Sequence, residues 1–336
     1  MNKMIIQDKR NRILRDLRIS VTDRCNFRCI YCMPREIYKK YNYLQHSELL
    51  TFEEIYRLVT IFSQLGVRKV RLTGGEPLVR KDLEQLIGFL NQIPDLDLSM
   101  TTNGSFPLER VHSLKNAGLK RITISLDSLD DGVFKKMNDV DQSVENTLLW
   151  ISECEKIGLA PVKINTVIKR GVNEHSILPL VERFKNTPHI LRFIEFMDVG
   201  TTNHWNMDAV VPAEEILHII ESRYALSPIG PNYPGEVARR YKYKNGQGEL
   251  GIIASVTHAF CGGCTRMRLS AHGSLYLCLF ANTGTDLRTL LRNGATDTEI
   301  SIFIQNLWSN RTDNYSEQRS EDSAKTQKVE MPFIGG

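Results

Sequence analysis

The sequence predicts an α/β protein: a partial (β/α)6 barrel of the TIM type, followed by a smaller C-terminal α+β module. Two observations carry the barrel. Short strand-like runs alternate with amphipathic helical stretches over the first part of the chain, the order a parallel sheet requires because each crossover must carry a helix. Within the strands, apolar and polar residues alternate, so each strand has one face fit for a core and one that is not.

Strands are expected at residues 17–21, 67–72, 96–101, 121–126, 162–168 and 190–196, and helices at 51–65, 81–91, 108–117, 143–157 and 174–184. Six such units leave the barrel open, with a slot into its lumen, where about eight would close it. On the first strand Leu17, Ile19 and Val21 alternate with Arg18, Ser20 and Thr22, and on the second Val70 and Leu72 alternate with Lys69, Arg71 and Thr73. Farther on, Ile122, Ile124 and Leu126 alternate with Thr123, Ser125 and Asp127, and Val162 and Ile164 with Lys163 and Asn165. Helices cover the outside of such a barrel and want the apolar set, which sends the polar set inward. A solvated sheet face is the alternative, but it suits an antiparallel sheet better. Arg18, Arg71 and Lys163 are therefore expected to converge on a space fit for a multiply charged anion, because guanidinium forks match phosphate oxygens.

Beyond about residue 215 the pattern changes. A helix at 213–223, strands at 237–243 and 250–256, a hairpin over 267–280 turning at His272 and Gly273, and a helix at 299–308 make up the second module. The expected division is thus 1–215, 216–308 and a tail, 309–336. The tail is polar from 309 to 330 and on composition reads as mobile, but it ends in the apolar run Met331-Pro332-Phe333-Ile334 and then Gly335-Gly336.

Composition agrees with this architecture. In 336 residues, 41% are hydrophobic and 24% charged, which leaves no room for a collagen-like, coiled-coil or wholly disordered chain. The net charge of +4 is too small to demand nucleic acid, yet it suits an anionic small molecule if focused in a cleft. No apolar run approaches the ~18 residues of a membrane span, and the charged first residues lack a signal-peptide core, so a cytoplasmic protein free of membranes is expected.

Seven cysteines remain, six of them in two tight groups, Cys25/Cys29/Cys32 and Cys261/Cys264/Cys278. Clustered thiols in a reducing compartment point to metal rather than disulfides. The seventh, Cys154, lies in a helical stretch as a packed thiol. The first group follows the first strand, at the C-terminal mouth where βα enzymes keep their sites. Three thiolates suit a 4Fe-4S cube with one open iron, whereas a structural zinc site needs a fourth ligand, with no candidate before His46. The second group leaves a zinc knuckle completed by His258 or His272 as an alternative.

The run Ile19-Ser-Val-Thr-Asp-Arg-Cys25-Asn-Phe-Arg-Cys29-Ile-Tyr-Cys32-Met-Pro34, with Thr73-Gly-Gly-Glu-Pro77, resembles the radical S-adenosylmethionine enzymes. The second group, Phe260-Cys261-Gly-Gly-Cys264-Thr-Arg266-Met-Arg268 through Cys278-Leu-Phe280, with the terminal Gly335-Gly336, closely resembles the MoaA family of GTP 3',8-cyclases within that superfamily. Departures are small: Gly263 where Ser is common, Thr265 where Asn is common, and a Tyr- and Lys-rich linker at 35–48.

The resemblance implies two 4Fe-4S clusters, one on each cysteine triad. The open iron of the first takes S-adenosylmethionine, with Tyr31, Gly75, Ser125 and Met197 as further contacts, and that of the second takes the guanine base. It also implies that Arg18, Arg71, Thr101, Lys163, Arg266, Met267 and Arg268 bind GTP and that Gly335 and Gly336 act in the radical step. An electron from a flavodoxin or ferredoxin then cleaves S-adenosylmethionine to methionine and a 5'-deoxyadenosyl radical, which takes the ribose 3'-hydrogen of GTP. The ribosyl radical adds to carbon 8, and reduction gives the substrate of the next enzyme of the molybdopterin pathway. A homodimer is expected. Two competing classes stay in view: a radical enzyme that modifies peptides, with more cysteines and fewer inward cations, and an iron–sulfur or zinc regulator of nucleic acid, which needs a basic stripe.

Overall fold

The computed structural model describes residues 5–320 and 326–336; residues 1–4, and 321–325 of the expected tail, lie outside the described part. All six expected barrel strands form: β1 (Asp16–Ser20), β2 (Lys69–Thr73), β3 (Asp97–Thr102), β4 (Arg121–Ser125), β5 (Lys163–Ile168) and β6 (Ile190–Glu195). They pair in parallel in chain order, with Arg18 beside Arg71, Arg71 beside Ser99, and Thr123 beside Lys163. Helices Phe52–Gln64, Leu83–Asn91, Glu109–Asn116, Val144–Lys156 and Ile177–Phe184 fill the expected crossovers, and a helix at Asp131–Asn138 is added after β4. Thr51 shows how local chemistry sets a boundary. Its hydroxyl accepts from Glu54 N–H while the Glu54 carboxylate accepts from Thr51 N–H at 2.7 Å, satisfying two donors that the first helical turn leaves without partners.

The apolar strand set lies where the alternation sends it. Leu17, Ile19, Val70, Leu72, Ile124 and Ile164 are fully buried against Ile55, Leu58, Val59 and Phe62 of the first long helix and their counterparts.

The segment after residue 215 differs from expectation in one respect: it forms no sheet of its own. Helix Ala213–Glu221 is followed by β7 (Leu226–Ile229), β8 (Arg239–Tyr243), β9 (Glu249–Ile253), β10 (Arg266–Leu269), β11 (Ser274–Tyr276) and β12 (Thr285–Asp286). β9 pairs in parallel with β6 and β10 in parallel with β1, so the C-terminal strands extend both edges of a single twelve-stranded sheet. This brings the second cysteine group to the first: β10 starts two residues after Cys264 and lies beside the strand that leads to Cys25.

The tail also differs. Composition reads 309–330 as solvated, yet Arg311 and Lys328 are buried. The Tyr315 ring stacks on Phe280 with centroids 4.7 Å apart, and Val329 N–H donates to Ala281 C=O. Charged side chains that pair with buried partners hold a chain as firmly as apolar ones, and composition does not reveal the partners.

Candidate active site

Both cysteine triads open on one cavity of about 310 Å³ inside the curl of the sheet. The first sits in the loop after β1. Arg28 N–H donates to Asn138 C=O and Ile30 N–H to Met137 C=O, which fasten the loop to helix Asp131–Asn138, and Phe27 N–H points at the Cys25 sulfur, 3.4 Å away. Gly75 makes room for this loop: a Cβ there would stand 2.3 Å from the Arg24 carbonyl oxygen, so the glycine is required for the cysteine loop to pack as well as for any ligand. Burial pushes the Cys25 thiol up to about 12 and holds Cys29 and Cys32 well above the usual thiol range. A metal that takes thiolates must displace those protons.

The second triad is held by two arginines. Arg12 donates to the Cys261 carbonyl at 3.0 Å, and Arg311 donates to the Cys264 carbonyl at 3.0 Å and to the Cys264 sulfur at 3.4 Å. Burial alone would raise Cys264, but Arg266 and Arg311 outweigh it and bring the thiol down to about 7; Cys278 is pushed by burial up to about 11. Among the described residues no three His, Cys, Asp or Glu side chains converge closely enough to hold a single metal ion. Three thiols bordering open cavity space fit a cube that takes one thiolate per iron.

The cavity walls divide by chemistry. Arg18, Lys69, Arg71, Arg192, Arg266 and Arg268 line one part, and Arg71 donates to both Thr101 and Thr123 hydroxyls at 3.2 Å. Burial, reinforced by the neighbouring arginines, pushes Arg18 down to about 9 and Arg71 and Arg192 to about 10, values at which each still carries its charge at neutral pH. Across from them Val167, Ile194, Met197, Val237, Ile253 and Phe260 form an apolar wall. At the mouth, Glu76 accepts from Thr102 Oγ1 and Asn103 N–H at 2.8 Å, and Asp127 accepts from Tyr31 O–H at 3.0 Å and Val167 N–H at 2.9 Å. Burial nevertheless raises both carboxyls to about 7.

The C-terminus enters this space. Arg268 donates to the Gly335 carbonyl, Thr73 Oγ1 to Gly336 O at 3.2 Å and Ser20 Oγ to Pro332 O at 3.0 Å. A Cβ on Gly335 would lie 2.5 Å from Thr73 Cγ2.

Of the residues singled out in the sequence, Tyr31, Gly75, Ser125, Met197, Arg18, Arg71, Thr101, Arg266, Arg268, Gly336 and all six clustered cysteines line the cavity. Two differ. Met267 is fully buried in the core on the outward face of β10, opposite to Arg266 and Arg268, so its side chain cannot reach a substrate. Lys163 stands outside the cavity lining, but its ammonium is electrostatically coupled to Arg192, Arg121, Arg71 and Lys69. Sequence reasoning missed Arg192, Asn165 and Asp127 as lining residues. For Arg192 the signal existed in its place between Leu191 and Phe193, both of which face the core.

Residues 19–184 match the Radical SAM superfamily and residues 189–317 match Molybdenum Cofactor Synthesis C. Streptococcus suis SuiB bound to S-adenosylmethionine shares the fold, with a TM-score of 0.62 at 15% identity over 95% of this chain and 74% of that one. The chain is a radical S-adenosylmethionine protein by fold, motif and placement of its first triad. Over a 358-residue alignment it is 47% identical to the GTP 3',8-cyclase of Acidothermus cellulolyticus, covering 98% of this chain and 99% of that protein. The GTP 3',8-cyclase of Staphylococcus epidermidis is 47% identical over 340 residues, with 99% and 100% covered. The chain belongs to the GTP 3',8-cyclase family.

Proposed function

We propose that this chain converts GTP to (8S)-3',8-cyclo-7,8-dihydroguanosine 5'-triphosphate, the first step of molybdenum cofactor biosynthesis, as a lyase. The observation that supports it is one cavity bordered by two thiol triads, a cationic wall and an apolar wall. Such a space suits two amphipathic nucleoside ligands whose reacting carbons must meet. A 4Fe-4S cluster on Cys25, Cys29 and Cys32 supplies, when bound, the electron that cleaves S-adenosylmethionine to methionine and the 5'-deoxyadenosyl radical. A second, on Cys261, Cys264 and Cys278, is the anchor for the guanine base.

The chain's own residues do the rest. Tyr31, Gly75, Ser125 and Met197 border the S-adenosylmethionine end, where Glu76 and Asp127 offer acceptors for an amine and a ribose. Arg18, Arg71, Arg266 and Arg268 hold the triphosphate through charge-assisted hydrogen bonds, Thr101 adds a hydroxyl, and Lys163 contributes its field. The apolar wall keeps water and stray hydrogen donors from the radical's path. Gly335 and Gly336 bring main chain without side chains to the same space and act in the radical step.

We take the electron donor to be a small one-electron carrier such as flavodoxin or ferredoxin, the product to pass to the next enzyme of molybdopterin synthesis, and the protein to be a cytoplasmic homodimer. No helix among the described residues is long and apolar enough to cross a membrane. The test is anaerobic turnover of reconstituted protein with GTP, S-adenosylmethionine and dithionite. The expected product is the cyclised nucleotide with one 5'-deoxyadenosine; 5'-deoxyadenosine formed with GTP recovered unchanged would overturn the assignment.

A further inference from the structure

The C-terminal segment is fastened to the loop that follows β6, and the fastening spans both sides of that loop. Asp198, directly after Met197, has a side chain only 2% exposed. It accepts from Tyr315 O–H at 2.6 Å, Arg319 Nε at 2.9 Å and Lys328 Nζ at 2.8 Å, and Lys328 also donates to the Asp198 carbonyl at 3.0 Å. One carboxylate therefore faces two buried cations. The Phe280 and Tyr315 rings take up part of the excess, with Arg319 5.0 Å from the first and Lys328 5.0 Å from the second.

Two residues on, Gly200 has φ +65, and a Cβ there would stand 2.2 Å from Glu330 Oε2. The glycine lets Glu330 lie against the loop, where its carboxylate accepts from Thr201 N–H at 3.1 Å, Thr201 Oγ1 at 3.0 Å and Thr202 Oγ1 at 3.0 Å. The other side of the same loop reaches the cavity: Asn203 Nδ2 donates to the Tyr31 carbonyl at 3.1 Å and the Met197 carbonyl at 2.9 Å.

We propose that the 198–202 loop is a clasp that seats the C-terminal segment in the cavity, with Asp198 and Glu330 as its positioning residues. Without the Asp198 charge, Arg319 and Lys328 are buried cations with no counter-charge, and the segment must leave its place to hydrate them. Because the loop that grips the tail also carries Met197 and holds the Tyr31 carbonyl, seating of the tail and order at the S-adenosylmethionine end are linked, and the linkage is reciprocal.

The test is hydrogen–deuterium exchange of the full, reconstituted protein, read on residues 326–336, where Val329, Phe333 and Gly335 amides are hydrogen-bonded. Asp198→Asn is expected to speed exchange there at least tenfold with iron content and protection of β6 unchanged. The double variant Asp198→Asn/Lys328→Met should exchange no faster than Asp198→Asn alone, since the pair is already broken. S-adenosylmethionine should slow exchange of 326–336 in the parent protein and lose that effect in the variant. In turnover, the ratio of 5'-deoxyadenosine to cyclised product should rise. Should Asp198→Asn fail to fold, Glu330→Gln opens the other half of the clasp and is expected to give the same change in exchange. Unchanged exchange in a folded Asp198→Asn or Glu330→Gln variant overturns the clasp. Fast exchange with an unchanged product ratio keeps the clasp and removes only the catalytic role proposed for the tail.

Discussion

Lys163 is expected to take up a proton when GTP binds. Burial lowers its ammonium to about 7, and the charges of Arg192, Arg121, Arg71 and Lys69 push the same way. An anionic triphosphate among those cations reverses their contribution and raises the value again. The sign follows from the two states. Below pH 7 the ammonium is protonated with or without GTP, and affinity is insensitive to this group. Above pH 7 the free protein has lost the proton that the complex regains, so binding consumes protons and weakens as pH rises. At pH 8 a group titrating near 7 is about nine-tenths neutral, so about 0.9 proton is taken up per GTP, and affinity falls at most about tenfold per pH unit, or about 1.4 kcal/mol.

Isothermal titration calorimetry at pH 8 in buffers of differing ionisation enthalpy measures the uptake directly. GTP has protonation equilibria of its own, so the Lys163→Met variant supplies the baseline, and the difference between the two proteins is the quantity of interest. Lys163→Arg, which stays charged throughout, should bind GTP with the flatter pH profile of that baseline. Equal proton uptake by the parent and Lys163→Met would refute the reasoning, because it would mean that Lys163 is already charged in the free protein or does not sense the phosphates.

Two further outcomes follow from the site. Anaerobically reconstituted protein is expected to bind about eight irons, four per cube, and Cys25→Ala or Cys261→Ala should each lose one cluster and keep the other; zinc in the second site of anaerobically purified protein would contradict this. Deleting Gly335 and Gly336 should leave iron content and GTP binding nearly intact while abolishing cyclised product, and chromatography of the reaction mixture decides it.

How much of this was legible in the sequence depended on whether the relevant pattern was local. The inward placement of Arg18, Arg71 and Lys163 followed from period-two alternation, since the side chains of neighbouring residues on a strand point to opposite faces. Arg192 escaped because both faces of β6 are largely apolar: Leu191 and Phe193 face the core while Ile194 joins Arg192 inside. Met267 shows the opposite failing. Resemblance placed it among the substrate contacts, whereas alternation with Arg266 and Arg268 sends its side chain outward. The pairings of β9 with β6 and β10 with β1 join residues far apart in the chain, and no local pattern encodes a partner at that range. The same holds for Asp198 with Lys328, 130 residues away. Read one residue at a time, such charges belong to solvent.

The cationic wall has a consequence for stability that ties the fold to the chemistry. Arg192 is 9% exposed and its Nε has no hydrogen-bond partner, while Arg71 and Arg121 repel it from nearby. The tail relieves part of this by offering carbonyls, at Gly335 to Arg268 and at Pro332 to Ser20. A carbonyl satisfies a donor without cancelling its charge, so the field that draws in a triphosphate survives the tail's presence. The protein without substrate thus carries an electrostatic penalty that the outer core must outweigh. Arg192→Met removes one unsatisfied buried group and one repulsion, and is expected to raise the unfolding free energy by about 1–3 kcal/mol. The same change should weaken GTP roughly ten- to hundredfold by loss of a charge-assisted contact. Denaturant unfolding and GTP titration on one preparation test both. A variant that lost affinity and stability together would place Arg192 in the structural framework instead of among the groups held ready for the anion.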